Sequence, residues 1–159
     1  MSEVHIRPAV QAADVAVARS LFDEYVRTLG VDLSFQGVAE EFATLPGAYA
    51  PPRGAILLAE RAGAVVGCIA LRPLAAAHEG EVKRLYVRPI ARGAGAGEAL
   101  VRALVDVARG AGYTALKLDT LGKMEQARRL YARMGFAPCP PYYRNPLPGA
   151  VYMSRSLQE

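Results

Sequence analysis

The sequence Val87-Arg88-Pro89-Ile90-Ala91-Arg92-Gly93-Ala94-Gly95-Ala96, followed by Gly97, lies between a stretch of strand-forming residues and a stretch with helical spacing. Three glycines at alternate positions leave no side chains over this turn. The backbone N–H groups of the turn and of the first helical residues can therefore converge on one anion. This stretch predicts a strand, a loop and a helix that together bind a phosphate or pyrophosphate.

The rest of the chain predicts an α/β layer structure around this unit. Apolar residues recur at helical spacing in four stretches, which are 14–29, 37–45, 97–109 and 124–134. Residues typical of strands dominate six others, which are 4–7, 55–60, 64–71, 79–87, 115–119 and 150–157. The glycine loop lies inside the central unit of alternating strands and helices.

The chain has 159 residues, 52% of them hydrophobic, and a formal net charge of +4. This length is enough for one domain with a buried core and too short for two ordinary ones, so we predict a single domain over 1–159. The Lys and Arg residues are scattered and form no basic run. The charge therefore suits an anionic cofactor, and no nucleic-acid partner is expected.

Cysteine and histidine are few. Cys68 and Cys139 lack metal-ligand spacing, so we expect free thiols. His5 and His78 lie far from any other His or Cys, so no zinc site is expected. The N-terminus lacks the pattern of a signal peptide, and no apolar stretch reaches the length that spans a membrane. We expect a soluble, cytoplasmic protein with no membrane partner.

The glycine loop alone is compatible with more than one cofactor class. The dinucleotide pattern G-x-G-x-x-G begins at Gly93 and Gly95, but position 98 is Glu. Asp119 could fill the acidic position for a ribose, yet too little chain follows it to complete a dinucleotide fold of the usual size. A P-loop is excluded because no Gly-Lys-Ser/Thr follows the glycines.

Two motifs resemble those of the GNAT-type N-acetyltransferases. The element Arg92-Gly93-Ala94-Gly95-Ala96-Gly97 is similar to the family's Arg/Gln-x-x-Gly-x-Gly/Ala, and 83–89 is similar to the strand that leads into it. Downstream, Leu130-Tyr131-Ala132-Arg133-Met134-Gly135-Phe136 resembles the family's Leu-Tyr-x-x-x-Gly-Phe. The closing 142–153 segment resembles the C-terminal loop and strand of one subgroup of small bacterial members. The resemblance covers nearly the whole chain and is most specific over 83–136.

The resemblance implies a mixed, mostly antiparallel, twisted α/β (α+β) sheet of about six or seven strands, flanked by about four helices and splayed at the cofactor-binding strand. It also implies acetyl-CoA (coenzyme A) as cofactor. The pantetheine arm would lie along the backbone of Leu85, Tyr86 and Val87. The pyrophosphate would lie on the amides of Arg92, Gly93, Ala94, Gly95, Ala96 and Gly97. Many members carry an Asn on the second motif's helix where this chain has Met124, which removes one polar contact.

Acetyl transfer to an amine needs a neutral amine, a stabilised oxyanion and a proton for the leaving thiolate. An alkylammonium has a pKa of about 10, so a base or a water-linked carboxylate has to help deprotonate it. A backbone N–H at Tyr86 or Val87 could stabilise the oxyanion. The resemblance points to Tyr131 as the acid, although its helical spacing is equally typical of a core residue.

Glu81 is our predicted base, because it lies near the start of the strand expected to carry the thioester. Alternate residues of a strand share one face, so Glu81 points the same way as Lys83 and could instead be a salt-bridged surface charge. Asp119, at the end of the neighbouring strand, is an alternative base. A water chain with no single base is another.

In the family, the acceptor reaches the thioester between the first two helices and the C-terminal loop. Those segments carry aromatic and polar residues, namely Phe22, Tyr25, Phe35, Tyr49, Tyr142, Tyr143 and Asn145. Such a cluster suits a small amphiphilic amine, although it is also typical of a core. We predict a small-molecule primary amine as acceptor. The alternatives are a protein amino group, an aminoacyl-tRNA, or a non-catalytic acyl-CoA-binding regulatory module. The C-terminal strands could pair across a two-fold axis in a homodimer.

Overall fold

A seven-stranded sheet organises the molecule, which the computed structural model describes over residues 3–158. The strands are β1 (Val4–Pro8), β2 (Ala55–Arg61), β3 (Ala64–Pro73), β4 (Glu79–Val87), β5 (Ala115–Leu121), β6 (Ala137–Pro138) and β7 (Ala150–Ser156). They lie in the order β1-β2-β3-β4-β5-β7-β6. Neighbours are antiparallel except β4 and β5, which are parallel. The predicted mixed, mostly antiparallel sheet is confirmed.

Helices cover the sheet at α1 (Ala12–Leu29), α2 (Val38–Ala43), α3 (Ala96–Gly110) and α4 (Glu125–Arg133). α1 ends at Gly30, whose φ of 65° is the left-handed conformation that favours glycine. α2 is shorter than the predicted stretch 37–45, because Pro46 disfavours helical backbone in the residue before it. β6 was not predicted, since two residues are too few to show an alternation.

The sheet separates two cores, and the alternation along β2 shows how. Leu57 and Ala59 belong to the core that contains the apolar face of α3. Ile56 and Leu58 belong to the core that contains Phe22 of α1. Because successive strand residues point to opposite faces, one apolar strand serves both cores. α1 and α3 therefore pack on opposite faces of the sheet.

β4 and β5 separate after a short contact. Their pairing covers only 79–81 and 115–117, although β4 continues to Val87 and β5 to Leu121. Towards β3, the register of β4 shifts between Cys68 and Ala70, and nearby Arg84 has a φ of 60°. A bulge of this kind bends a strand and increases its twist. The second half of β4 therefore has an unpaired edge, which is the splay that the resemblance implied.

Three smaller findings bear on the sequence predictions. Cys68 is buried, Cys139 is partly buried, and both are free thiols. Within residues 3–158, no helix is both long and apolar enough to cross a membrane. The same part of the chain contains no group of three or more His, Cys, Asp or Glu side chains arranged to hold a metal ion.

Candidate active site

A groove of about 710 Å³ runs from the unpaired edge of β4 to the glycine loop and the start of α4. Its lining includes eight of the nine residues predicted to contact the cofactor, namely Leu85, Tyr86, Val87, Arg92, Gly93, Gly95, Ala96 and Gly97. Ala94 is the ninth and does not line it. The end of β4 and the glycine loop, which are consecutive in the sequence, thus form one continuous surface.

The glycine loop presents unpaired backbone amides to this groove. Gly93 and Gly95 have φ values of 84° and 82°, and a Cβ added to either would meet no protein atom within 4 Å. Within the described chain, no backbone or side-chain group accepts a hydrogen bond from the N–H of Gly93, Gly95, Ala96 or Gly97. Four free amides in an open, side-chain-free turn form a site for an anion.

Two amides of the predicted stretch are used inside the loop itself. The N–H of Arg92 donates to the Pro89 carbonyl at 3.2 Å, and that of Ala94 donates to the Ala91 carbonyl at 3.3 Å. These bonds hold the turn in shape. The anion site is consequently narrower than the predicted run of six amides.

The two sequence motifs meet at Gly97. A Cβ on Gly97 would lie 3.0 Å from Cδ2 of Leu130, so a larger residue there would require the Leu130 side chain to move by a few tenths of an ångström. Leu130 directly precedes Tyr131 in the second motif. The glycine loop therefore lies next to the helix that carries Tyr131.

Alternation along β4 decides which backbone groups face the groove. The N–H of Arg88 donates to the Val66 carbonyl of β3 at 2.8 Å. Consecutive strand residues point their N–H and C=O groups to opposite edges, so Tyr86 also faces β3 and Val87 faces the open edge. In agreement, the Val87 carbonyl accepts a hydrogen bond from Nε of Arg92 at 3.2 Å. Of the two predicted oxyanion donors, Val87 is the one whose N–H faces the groove.

Basic side chains line the groove along α4. They are Lys123, Arg129 and Arg133. Nζ of Lys123 donates to the Leu29 carbonyl at 3.3 Å, which connects this wall to α1. Cations beside free amides favour a ligand with several negative charges.

A second cavity of about 50 Å³, here called the inner pocket, lies where β4 and β5 separate. Its walls come from α1, the turn at Ser34–Gln36, both strands, α4 and the C-terminal loop. The residues that line both the inner pocket and the groove are Tyr25, Leu85, Met124 and Ala127. The two cavities therefore adjoin at the unpaired edge of β4.

Tyr131 lines the inner pocket. Its side chain is only 7% exposed, and its ring packs edge-on against Phe136 with centroids 5.6 Å apart. Within residues 3–158, its hydroxyl has no hydrogen-bond partner. Burial raises the pKa of Tyr131, and Tyr25 and Asp119 act in the same direction. The hydroxyl therefore stays protonated and able to donate.

Asp119 also lines the inner pocket. Its Oδ2 accepts hydrogen bonds from the Tyr143 hydroxyl and, at 2.9 Å, from Nδ2 of Asn145. Its Oδ1 has only Nζ of Lys83, at 3.4 Å. Burial acts to raise the pKa of Asp119, but Lys83 and these hydrogen bonds outweigh it and lower the pKa. Asp119 is thus an ionised carboxylate with one oxygen weakly engaged.

Glu81 is buried behind the pocket wall and is not among the residues that line the pocket. Nε of Arg72 donates to its Oε1 at 2.7 Å, and the Tyr142 hydroxyl donates to its Oε2. Of the alternative reading of Glu81 as a salt-bridged surface charge, the salt bridge to Arg72 is found but the surface position is not, because Glu81 is buried under Tyr142 of the C-terminal loop. Both oxygens of Glu81 are occupied by strong donors.

A buried charge network surrounds these carboxylates and was not predicted from the sequence. Lys83 and Arg84 are each about 5% exposed. The Arg84 guanidinium donates two hydrogen bonds of 3.0 Å to Glu41 of α2 and one of 3.0 Å to Oε1 of Gln36. The available signal was the number of charged residues in a central strand, since β4 contains Glu79, Glu81, Lys83 and Arg84.

The aromatic residues predicted near the acceptor divide into three groups. Tyr25 lines the inner pocket, together with Asn145. Tyr142 and Tyr143 reach the site through the carboxylates. Phe22 and Tyr49 are buried in the core on the α1 side, and Phe35 is 38% exposed.

This geometry defines a class of protein. The groove fits an extended ligand with several negative charges, and the far end of such a ligand would reach the inner pocket across their shared wall. A second reactant would enter the inner pocket from the side of the C-terminal loop. The arrangement is that of a transferase with a phosphate-bearing donor.

The chain belongs to the acetyltransferase (GNAT) family, whose model matches residues 18–136. It is therefore an acetyltransferase, and acetyl-CoA is the cofactor. The resemblance found in the two motifs is confirmed.

Relatives and solved structures agree with this assignment. A Schizosaccharomyces pombe protein, named as an uncharacterized N-acetyltransferase, is 39% identical over 99% of this chain and 98% of its own length. A GNAT-family acetyltransferase structure from Staphylococcus aureus superposes with a TM-score of 0.78 at 17% identity, covering 98% of this chain and 99% of that one. An acetyltransferase from Salmonella typhimurium, solved with its cofactor acetyl-CoA, gives 0.68 at 23% identity and covers 98% and 95%.

Proposed function

We propose that this chain transfers the acetyl group of acetyl-CoA to a primary amine of a small molecule, by direct attack of the amine on the thioester. The inner pocket is the observation that supports this acceptor class. With about 50 Å³ and walls on several sides, it has room for an amino group and a few attached atoms. Asp119 is the carboxylate among its lining residues in the described chain.

The open, side-chain-free glycine loop supports acetyl-CoA as the ligand of the groove. An added Cβ at Gly93 or Gly95 would occupy open space beside the free amides, which is where a pyrophosphate requires access. We assign the pyrophosphate to the amides of Gly93, Gly95, Ala96 and Gly97. The pantetheine arm would lie along the open edge of Leu85 and Val87. The remaining cofactor phosphate would lie near the basic residues that line the groove, which are Arg92, Lys123, Arg129 and Arg133.

Bound acetyl-CoA supplies the activated acetyl group, and the protein supplies polarisation and protons. The N–H of Val87 donates to the carbonyl oxygen as negative charge develops there. The Tyr131 hydroxyl, protonated and without a partner in the described chain, donates to the sulfur. Val87 lines the groove and Tyr131 lines the inner pocket, so the two groups lie in cavities that adjoin at the unpaired edge of β4.

Glu81 and Asp119 are the two carboxylates proposed to receive the amine. Asp119 lines the pocket and has a weakly engaged oxygen, whereas both oxygens of Glu81 accept hydrogen bonds behind the wall. An incoming ammonium is therefore best placed against Oδ1 of Asp119. Glu81 orders Tyr142 and Arg72 beneath it.

The test combines binding with turnover. Isothermal titration measures acetyl-CoA affinity, and a thiol-release assay then screens benzylamine, tyramine, L-leucine, a lysine-containing peptide and an aminoacyl-tRNA. We expect thiol release with a small amine and little with the peptide or the tRNA. Tight binding with no acceptor-dependent thiol would identify a regulatory module and contradict the proposal. A preference for either macromolecule would contradict the acceptor class.

The homodimer stays a proposal, to be tested by sedimentation. β7 pairs with β5 along one edge, and β6 covers Met153 and Ser154 on the other. In a homodimer formed through β7, a second copy of the chain could pair only with the part of the outer edge of β7 that β6 leaves uncovered.

A further inference from the structure

The proposed reaction needs a group that takes a proton from the acceptor's ammonium. Asp119 is suited to holding a cation, but its lowered pKa makes it a weak base. Glu81 lies behind the wall with both oxygens engaged. Lys83 is another ionisable group, it lines the inner pocket, and it has no role in the function proposed so far.

Lys83 is a buried lysine with loose contacts. Its Nζ lies 3.4 Å from Oδ1 of Asp119, 3.4 Å from Oε1 of Gln36 and 3.9 Å from Oε2 of Glu81. All three distances exceed those of a strong charge-assisted hydrogen bond, which are about 2.7–2.9 Å. The ammonium form of Lys83 is therefore removed from water without being tightly bound.

The surrounding charges balance before an acceptor enters. The charged or titratable groups around Lys83 come from α1, β3, β4, β5, α4 and the C-terminal loop, and they are Tyr25, Arg72, Glu81, Arg84, Asp119, Tyr131, Tyr142 and Tyr143. Arg84 is paired with Glu41, and Arg72 with Glu81. Asp119 is thus the carboxylate left for Lys83.

An ammonium that docks on Asp119 places a second cation beside Lys83. Two cations at one carboxylate repel each other, which lowers the pKa of both and favours the loss of one of their protons. Burial already lowers the pKa of Lys83, with Arg84 and Arg72 acting in the same direction against Glu81 and Asp119. Of the two groups in the pocket that could accept a proton, the neutral amine of Lys83 is more basic than the Asp119 carboxylate, whose pKa is lowered.

We propose that Lys83 removes the proton from the acceptor's ammonium while Asp119 holds that ammonium in place. This rests on the proposed function. The ammonium N–H bond breaks, its electron pair stays on the acceptor nitrogen, and the proton joins the lone pair of the neutral Lys83 amine. The acceptor nitrogen then forms the bond to the acetyl carbon as the C–S bond breaks, and the Tyr131 hydroxyl gives its proton to the leaving thiolate. The second proton lost from the acceptor nitrogen restores Tyr131, and Lys83 returns the first proton to water.

A direct test uses the scarcity of lysine. Lys83, Lys117 and Lys123 are the three lysines of the chain, so protein labelled with ¹³C at the lysine ε-carbon gives three signals. They are assigned with Lys83→Gln, Lys117→Arg and Lys123→Arg. In the CoA complex we expect the Lys83 signal to titrate below the ordinary lysine pKa of about 10.4. Titration of Lys83 at that ordinary value would overturn the proposal, whatever the acceptor is.

Turnover supplies a second readout. Lys83→Arg keeps the positive charge beside Asp119 but cannot accept a proton near neutral pH. We expect it to lower kcat/KM by about 10²–10⁴-fold, with acetyl-CoA affinity unchanged. Lys117→Arg is the matched control, because Lys117 pairs with Glu79 at 3.0 Å outside the pocket. Wild-type turnover and an unchanged pH profile in Lys83→Arg would show a purely structural lysine.

A further variant guards against misfolding by the larger arginine. In a Cys139→Ser background, Lys83→Cys is alkylated with 2-bromoethylamine, which rebuilds a lysine-like amine of lower basicity. We expect activity to return, with the acidic limb of the kcat/KM profile moved to lower pH. An unmoved limb would assign the proton to another group. Absence of thiol release by the wild-type enzyme itself would instead count against the proposed function, and the ¹³C titration would still decide the role of Lys83.

Discussion

Replacing Gly95 with valine tests the assignment of the glycine loop. Gly95 has a φ of 82°, and its added side chain would meet no protein atom within 4 Å. The substitution therefore creates no clash within the protein. It forces a β-branched residue into left-handed backbone, which costs about 1–3 kcal/mol of stability. The new methyl groups enter the groove beside the free amides.

The magnitude of the affinity loss follows from the hydrogen bonds at risk. A charge-assisted hydrogen bond contributes about 1.5–3 kcal/mol. Displacing the pyrophosphate from one amide weakens acetyl-CoA binding roughly 10- to 150-fold, since about 1.4 kcal/mol is a factor of ten. Loss of a second amide multiplies the effect.

Gly112→Val is the matched control. Gly112 has a φ of 89°, its Cβ would also meet nothing within 4 Å, and it lies after α3 outside the groove. Both variants should lose similar stability, a fall in Tm of about 2–4 °C for each kcal/mol. Isothermal titration should show weaker acetyl-CoA binding only for Gly95→Val. Equal affinities in the two variants would refute the loop assignment.

Three further results are expected. Tyr131→Phe should bind acetyl-CoA normally and lose about 10²-fold or more in turnover. The control Tyr113→Phe, which loses a hydrogen bond to the Arg53 carbonyl, should lose only stability in thermal unfolding. Wild-type turnover in Tyr131→Phe would show that Tyr131 is only a core residue. Asp119 has a lowered pKa in the folded state, so its contribution to stability is present above its unfolded pKa of about 4 and is lost as the pH falls towards the folded value. Urea unfolding should therefore show the gap between wild type and Asp119→Asn shrinking from about pH 6 to pH 3, and a constant gap would contradict the ion-pair account. Glu41→Gln should cost about 3–5 kcal/mol in urea unfolding, because it leaves the buried Arg84 guanidinium without its carboxylate; a loss below about 1 kcal/mol would show that water replaces the pair.

The strand and helix patterns were readable from the sequence because each has a local cause. Helical spacing and capping glycines such as Gly30 depend on neighbouring residues alone, and the structure agrees with them closely. The two-residue β6 could not be found this way, because its pairing with β7 is a tertiary contact. The end of α2 was misplaced because Pro46 acts on the residues before it.

The candidate site divides along the same line. The loop glycines and Tyr131 lie in motifs whose chemistry can be read without coordinates. The sequence could not distinguish Asp119 from Glu81, because each is a carboxylate on one of two neighbouring strands. Only the structure shows that Asp119 lines the inner pocket, while Arg72 and Tyr142 donate hydrogen bonds to Glu81.

The sequence by itself indicated acetyl-CoA as the cofactor and predicted that its phosphates lie at the glycine loop, because the amides of such a loop come from residues close together in the chain. The tertiary structure decided which charged groups line the inner pocket and how their pKa values shift. Those properties depend on burial and on charges that meet only after folding, as when β5 brings Asp119 to within 3.4 Å of Lys83 on β4. The glycine loop is therefore local in the chain, and the inner pocket is a product of how β4 and β5 separate.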